Sequence, residues 1–315
     1  MINYSKQSIS NQDILAVTKV LKSDFLTQGP MVTKFENEIK KITKSKFAVA
    51  ANSATSALHL SCLALGLKKG DWLWTSANSF VASSNCALLC GARVDLIDIS
   101  LLDYNIDILK LKQKLEIAKK KNKLPKIVMP VHFAGRPCNM KEIYKLSLKY
   151  KFKIIEDASH ALGSKIYGKP IGNCKYSSVC VFSFHPVKNI TTAEGGMLTT
   201  NNKKLFNAAN MLRTHGINKD KKFFRNKKAP PWFFEQILLG FNYRMNDLEA
   251  ALGISQLKKL NYFLLQRNKI SKTYNLKLKN TGLILPKIDK KIFNAFHLYP
   301  VRLPSSKEKQ KRLSL

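Results

Sequence analysis

The sequence predicts an α/β protein, with a mostly parallel sheet and helices on both of its faces. Short apolar runs alternate with segments of helical periodicity through residues 47–157, which is the pattern of repeated βα units. Ser53 precedes a leucine-rich segment that stops at Gly66, and these residues are typical of a helix start and a helix end. The chain has 315 residues, 45% of them hydrophobic, enough for one large domain and part of a second.

The elements follow in order from periodicity and from the residues that flank each segment. An apolar stripe of Ile14, Leu15, Val17 and Leu21 predicts a helix at about residues 11–22. Gly29 and Pro30 start a second helix that continues through Phe35 and Ile39. The same reasoning predicts strands at residues 47–50, 72–75, 94–98, 127–132 and 153–157, and helices at residues 53–65, 80–91, 106–121 and 140–150.

After residue 157 the alternation gives way to shorter pieces. The sequence predicts strands at 163–167, 179–184, 196–200 and 296–303, helices at 203–213 and 246–278, a long polar and aromatic loop at 216–242, and a charged tail at 305–315. We assign residues 1–280, with the N-terminal helices, to a large domain. Residues 281–315 are assigned to a small C-terminal domain that is partial and apparently truncated.

The formal net charge of +34 is extreme, with 54 Lys and Arg against 20 Asp and Glu. Nucleic acid or a membrane surface would be a suitable polyanionic partner. The lysines are scattered through runs such as 119–121 and 221–222, and no aromatic stacking motif accompanies them. We therefore favour a composition rich in lysine over nucleic-acid or membrane binding. A diffuse positive field would still favour an anionic, nucleotide-linked substrate.

Cysteine spacing indicates whether the chain binds a metal, and the N-terminal residues indicate where in the cell it is located. The six cysteines form no Cys-x-x-Cys pair, and most lie in apolar stretches, so we interpret them as structural thiols and expect no metal. Residues 1–10 contain no apolar stretch of the kind found in signal peptides. No apolar segment is long enough to span a bilayer. These features predict a cytoplasmic protein.

The most informative residue is Lys188, which lies in the segment 183–196, SFHPVKNITTAEGG. Asp157 ends a predicted strand upstream, and a hydroxyl-rich helix start lies at 52–56. Pyridoxal phosphate (PLP) is held by three such groups: an amine that bonds to it, a carboxylate that pairs with its pyridinium nitrogen, and a helix start that binds its phosphate. The alternatives are a solvated surface lysine and an aspartate that caps a helix.

With these pieces in order, the chain resembles the DegT/DnrJ/StrS family of PLP-dependent sugar aminotransferases, which have the fold type I architecture of aspartate aminotransferase. The resemblance covers about residues 10–303. The motif FHPVK at 184–188 most resembles the branch of the family that makes UDP-4-amino-4,6-dideoxy-N-acetyl-β-L-altrosamine, a step toward pseudaminic acid. The branch that makes 4-aminoarabinose is the near neighbour. The motifs, in family order, are 52–58 NSATSAL, 79–82 SFVA, 156–161 EDASHA, the Lys188 segment, 213–216 RTHG and 240–245 GFNYRM.

The resemblance implies a role for each residue around the cofactor ring. Lys188 would bond to the cofactor and then carry a proton between substrate and cofactor. Asp157 would pair with the pyridinium N–H. His160 would approach the phenolic oxygen, although an ordinary helix-start histidine is an equally good interpretation. Phe80 would stack on the ring face, where a core phenylalanine is the alternative.

The resemblance also implies a phosphate site and a shared active site. Ala54, Thr55 and Ser183 would bind the phosphate. Asn242 would reach it from a neighbouring subunit, which implies a homodimer. His185, Arg213 and Arg244 are candidate substrate residues, with dimer contacts as the alternative for the two arginines.

The activity implied is transfer of an amino group from L-glutamate to C4 of a UDP-linked 4-keto-6-deoxy-N-acetylhexosamine. Two alternatives remain open. A PLP-dependent sugar dehydratase shares the fold, but it has histidine in place of the lysine, so Lys188 argues against it. A non-catalytic scaffold is the other, because family members continue beyond the point that resembles Leu303.

Overall fold

The computed structural model describes residues 5–218, 224 and 228–304. The charged tail predicted at 305–315 and the lysine pair 221–222 lie outside the described residues. The helices are α1 Asn11–Leu21, α2 Pro30–Thr43, α3 Ala54–Ala64, α4 Ala82–Leu88, α5 Ile108–Lys120, α6 Met140–Tyr150, α7 Lys203–Arg213, α8 Asp247–Leu257 and α9 Leu260–Lys277. The strands are β1 Phe47–Ala51, β2 Trp72–Ser76, β3 Arg93–Ile97, β4 Ile127–Met129, β5 Lys153–Asp157, β6 Lys165–Ile166, β7 Lys169–Pro170, β8 Val179–Ser183, β9 Gly196–Thr200, β10 Ile217–Asn218, β11 Glu235–Gln236 and β12 Ile292–Phe293.

A seven-stranded sheet forms the centre, in the order β1-β9-β8-β5-β4-β2-β3. Strand β9 runs antiparallel to both of its neighbours, and the other pairs in the sheet are parallel. Asp157 of β5 pairs with Val181 of β8, and Ser183 of β8 pairs with Gly196 of β9. The carboxyl ends of β5 and β8 therefore meet at one edge, where ligands bind in sheets of this kind.

Helices cover both faces of this sheet, as the sequence predicts. On one face Phe182 of β8 packs in a cluster with Phe35 of α2 and Ala250 of α8. On the other face Val181 packs with Leu58 of α3 and the helix α7. Neighbouring residues of β8 thus enter opposite hydrophobic clusters, which is expected for a strand buried on both faces. The α/β fold class is confirmed.

Strand β4 and the segment 296–303 differ from the sequence-based assignment. Strand β4 stops at Met129, because Pro130 follows and has no N–H for the ladder, and Val131 makes only an isolated bridge with Asp157. The strand predicted at 296–303 is wrong, since the segment is irregular apart from a bridge between Arg302 and Ile284. Its proline, Pro300, interrupts the alternation that suggested a strand.

The segment after α9 adds a strand to a separate three-stranded sheet, in the order β12-β6-β7. Strand β12 pairs with β6, and β6 pairs with β7. The Ala295 N–H donates to Ser164 Oγ at 3.0 Å, and Arg267 Nη1 donates to the carbonyls of Phe296 and His297, each at 3.1 Å. These contacts place His297 near the edge of the seven-stranded sheet where β5 and β8 end. The domain boundary near residue 280 stays a prediction.

The loop predicted at 216–242 contains a small hairpin. Strands β10 and β11 pair antiparallel, with Ile217 opposite Gln236. Within the described parts of the chain, no helix has the length and apolar character required to cross a membrane.

Candidate active site

A cavity of about 470 Å³ opens at the carboxyl edge of β5 and β8. It brings together residues that are far apart in the chain, from the start of α3 to the segment after β12. Eight residues predicted from the sequence line it: Ala54, Thr55, Phe80, Asp157, His160, Ser183, His185 and Lys188.

Asp157 is the buried carboxylate of this cavity, with 3% of its surface exposed. Its Oδ2 accepts a hydrogen bond from Ser83 Oγ at 2.6 Å, and its Oδ1 accepts from Ser159 Oγ at 2.6 Å and from the Ser159 N–H at 3.1 Å. These donors fix the carboxylate and satisfy it as an acceptor. Glu156, one residue earlier, points to the other face and bonds to His132 Nε2 at 2.8 Å.

Lys188 lies in the loop between β8 and β9. Its backbone N–H donates to the His185 carbonyl at 2.8 Å, which holds the loop in a turn. Burial lowers the pKa of the Lys188 amine, and the negative charge of Asp157 opposes that change. A lowered pKa increases the fraction of neutral amine near pH 7, and only the neutral amine can act as a nucleophile or a base.

His160 and His297 face each other at the wall of the cavity, with ring centroids 4.3 Å apart. His160 Nδ1 accepts from the Ala134 N–H at 3.3 Å, so the assigned tautomer carries its proton on Nε2. Burial and the nearby Lys188 charge lower the pKa of His160 to about 4, against the effect of Asp157. Burial is also the main cause that lowers the pKa of His297 to about 2. Both imidazoles are therefore neutral at pH 7.

The start of α3 forms a cradle suited to an anion. The Ser53 side chain caps the helix by accepting from the Ser56 N–H at 3.0 Å. The first N–H groups of a helix have no acceptor within it, so those of Ala54 and Thr55 are available to a ligand. Gly196 of β9 crosses here, and a Cβ at that position would overlap the backbone of Ser53 and Ala54.

These groups fit PLP. Lys188 would bond to it, Asp157 would pair with the ring nitrogen, and the start of α3 with Ser183 would hold the phosphate. Phe80 lies at the open side of the cavity, with 72% of its surface exposed. A ring face of this kind is suited to stacking on a planar cofactor.

Three of the predicted site residues do not line the cavity. Arg213 Nη1 donates to Glu36 Oε1 at 2.8 Å and to the Ala50 carbonyl at 2.7 Å. Asn242 is exposed, and its backbone carbonyl lies 3.5 Å from Asn52 Nδ2. Arg244 is half-buried. Ligand contacts by these three residues stay predictions.

The sequence reasoning missed three side chains of the site. Ser159 follows Asp157 by two residues, and an Asp with a serine at i+2 is a known local pairing that could have revealed it. Ser83 is 74 positions from Asp157, and no local pattern connects them. His297 lies in the segment interpreted as a strand, so nothing in the pattern placed it at the cavity.

Comparisons with known proteins agree with this geometry. Residues 7–315 match the profile of the DegT/DnrJ/EryC1/StrS aminotransferase family. A UDP-4-amino-4,6-dideoxy-N-acetyl-β-L-altrosamine transaminase from Campylobacter jejuni is 43% identical over 304 residues, which are 96% of this chain and 77% of the relative. An uncharacterised protein from Methanocaldococcus jannaschii is 40% identical over 93% of this chain and 74% of its own length.

Solved structures show the same architecture. Helicobacter pylori PseC, an aminotransferase involved in the biosynthesis of pseudoaminic acid, superposes with a TM-score of 0.88 at 32% identity, covering 99% of this chain and 80% of PseC. The PLP form of the Streptococcus pneumoniae protein Spr1654, described as a putative sugar aminotransferase, gives a TM-score of 0.86 at 26% identity, covering 99% of this chain and 80% of its own.

Proposed function

We propose a substrate and an amino-group donor for this chain. The chain belongs to the DegT/DnrJ/EryC1/StrS aminotransferase family and is a PLP-dependent sugar aminotransferase of fold type I. It moves an amino group from L-glutamate to C4 of a UDP-linked 4-keto-6-deoxy-N-acetylhexosamine, in a path to pseudaminic acid and surface glycans. The observation that carries the substrate is the 43% identity to the Campylobacter jejuni transaminase over 96% of the chain. The cytoplasmic location stays a prediction.

Asp157 and Lys188 have different roles in the two half-reactions. PLP, when bound, supplies the electron sink that stabilises negative charge on the reacting carbon. Asp157 keeps a positive charge at the ring nitrogen, and Lys188 takes the proton from Cα of glutamate. In the second half-reaction Lys188 returns a proton to C4 of the sugar. A single amine with a lowered pKa can serve both steps.

The cavity supports a sugar nucleotide as the second substrate. Its walls include the apolar side chains of Phe80, Val131 and Leu298 beside the imidazoles of His160 and His297. Apolar walls with a few polar groups are typical of small-molecule sites. The net charge of +34 would attract the diphosphate of the substrate from solution.

We also propose a homodimer in which Asn242 of one subunit reaches the phosphate site of the other. Asn242 is exposed and lies outside the cavity of its own chain. The preceding segment exposes large apolar side chains, which a monomer rarely does over a wide area. Examples are Trp232 and Leu239, each 79% exposed, and Phe234, 54% exposed.

The first test follows the amino group through both half-reactions, from glutamate to the cofactor and from the cofactor to the sugar. Purified chain loaded with PLP should lose its visible absorbance when glutamate is added, with formation of 2-oxoglutarate. A UDP-linked 4-keto-6-deoxy-N-acetylhexosamine should then restore the absorbance, and mass spectrometry should find the 4-amino sugar. A chain that reacts with glutamate but with no 4-keto sugar nucleotide would refute the substrate. Absorbance that glutamate leaves unchanged would favour the scaffold alternative.

The shared site is tested by mixing two inactive variants, Lys188→Ala and Asn242→Ala. In a random mixture half of the dimers are mixed, and one of their two sites combines intact Lys188 with intact Asn242. Activity should therefore recover to about one quarter of the wild-type value after subunit exchange. Activity no higher than the mean of the separate variants would show that each site is built from one subunit.

A further inference from the structure

A strained backbone segment, residues 294–298, places His297 at the wall of the cavity. We call it the clamp segment. Phe296 has a φ of +45°, a left-handed conformation that bulky residues rarely adopt. Its N–H donates to Asn294 Oδ1 at 2.8 Å, and Arg267 holds its carbonyl and that of His297. Such strain persists only where surrounding contacts impose it, and it is concentrated at functional sites. The side chain that this segment presents therefore calls for an explanation.

The clamp segment packs against the turn that follows β4. The Leu298 N–H donates to the Ala134 carbonyl at 3.5 Å. Gly135 in this turn has a φ of +94°, and a Cβ there would lie 3.0 Å from both the His160 carbonyl oxygen and the Phe296 nitrogen. Glycine is the residue that allows backbones to approach so closely at a positive φ. The turn, the clamp segment and the backbone of His160 therefore form one tightly packed unit.

This unit fixes the ring of His160. The His297 ring stacks on it, with centroids 4.3 Å apart and planes inclined by 36°. The Phe133 ring contacts it edge-on, with centroids 6.1 Å apart. Its Nδ1 accepts from the Ala134 N–H at 3.3 Å. With Nδ1 used in this way, the Nε2–H of His160 is the group left for a ligand in the cavity that the residue lines.

The contact that the structure shows for the His297 ring is this stacking. The side chain is 8% exposed, and its Nδ1 is buried without a hydrogen-bond partner among the described residues. Both imidazoles are neutral at pH 7, as described above, so the two rings stack without the repulsion of like charges. Pairs of aromatic rings in such arrangements contribute more than the area they bury.

We propose that His297 is a positioning residue for the transamination, whose ring stacks on His160 and holds the Nε2–H of His160 toward the phenolic oxygen of PLP. This inference rests on the PLP site described above. A donor at the phenolic oxygen favours its ionised form, because the hydrogen bond stabilises the negative charge. His297 acts through His160 and not through a hydrogen bond of its own.

Two variants separate the ring of His297 from its nitrogens. His297→Gln keeps an amide N–H without a ring, and His297→Phe keeps a ring without a nitrogen. His297→Gln should slow the half-reaction with saturating glutamate by about three- to tenfold, the scale of one aromatic pair, and leave the half-saturating glutamate concentration within about twofold. His297→Phe should recover most of the lost rate. An equal loss in both variants would show that a nitrogen of His297 is used and would overturn the proposal.

A second measurement needs no turnover, so it stands even if glutamate or the sugar proposed above is wrong. The visible absorbance of bound PLP depends on the ionisation of its phenolic oxygen. His160→Leu should shift this band, and His297→Gln should shift it in the same direction, whereas His297→Phe should resemble the wild type. A band that His160→Leu or His297→Gln leaves unchanged would overturn the proposal.

A double-mutant cycle distinguishes positioning from a general structural role. If His297 acts through His160, His297→Gln should have no further effect on the band in a chain that already carries His160→Leu, because contacting residues are not additive. An equal shift in both backgrounds would overturn the proposal. Thermal unfolding of each variant, followed by circular dichroism, confirms that the chains compared are folded at the temperature of the absorbance measurement.

Discussion

Replacing Lys188 with alanine is expected to reduce transamination by about 10³-fold or more while the chain stays folded. Proton transfer by a positioned group contributes about 10²- to 10⁴-fold, and the variant also loses the covalent bond to the cofactor. Stability should change little, because the Lys188 side chain is partly exposed at the cavity wall and its loop is held by a backbone hydrogen bond to His185.

The measurement does not depend on turnover. Borohydride reduction of the PLP-loaded chain, followed by peptide mapping, should place the cofactor on Lys188 in the wild type and leave the variant unlabelled. The matched control is Lys145→Ala, since Lys145 is an exposed lysine paired with Glu142. The control should be labelled and active like the wild type. A Lys188→Ala chain that still forms a reducible bond to PLP at another lysine would refute the assignment.

The pH dependence of this labelling has a definite sign. Bonding to PLP requires the neutral amine, whose fraction increases as the pH rises through the pKa of Lys188. Burial lowers that pKa from 10.5, so the labelling rate should rise with pH and level off below the pH expected for an exposed lysine. A plateau only above the ordinary lysine pKa would show that burial has no effect on Lys188.

The sequence reveals the residues that carry reactive groups better than those that support them. Asp157 could be predicted because it ends an apolar strand, and Lys188 because it lies in the loop that follows another. Strand ends of a parallel sheet meet at one edge. Ser83 could not be predicted as a partner of Asp157, since their contact depends on where α4 packs in the fold. The place of His297 in the site could not be predicted, because the alternating pattern of its segment suggested a strand, although Pro300 interrupts that pattern.

Arginine roles were the least predictable from the sequence. Arg213 lies in a family motif, yet its guanidinium donates hydrogen bonds to Glu36 Oε1 and to the carbonyl of Ala50 in β1. A motif identifies the residue type at a position but does not show whether a ligand, a neighbouring strand or a second subunit occupies its hydrogen bonds. The contacts of the folded chain decide this, and no local pattern shows them.

Replacing Asp157 with asparagine should lower kcat by about 10²- to 10³-fold, which is the usual effect of removing one preorganised electrostatic group. The amide has nearly the same shape, so it should still contact Ser83 and Ser159, and PLP should still bind through the phosphate cradle. The ring nitrogen would lose the negative charge that keeps it protonated. Stopped-flow absorbance after glutamate addition should show slow chemistry with PLP bound.

Glu156→Gln is the matched control for this variant. Glu156 is the adjacent carboxylate on β5 and is equally buried, but it bonds to His132 and Ser177 on the opposite face of the strand. Its loss should lower the temperature of unfolding and leave kcat within a few-fold of wild type, because the buried hydrogen bonds of Glu156 support the fold without touching the cavity. If both variants lost kcat equally, the effect of Asp157 would be structural. A large loss in Asp157→Asn alone would assign the electrostatic role to the one strand face that points at the cofactor site.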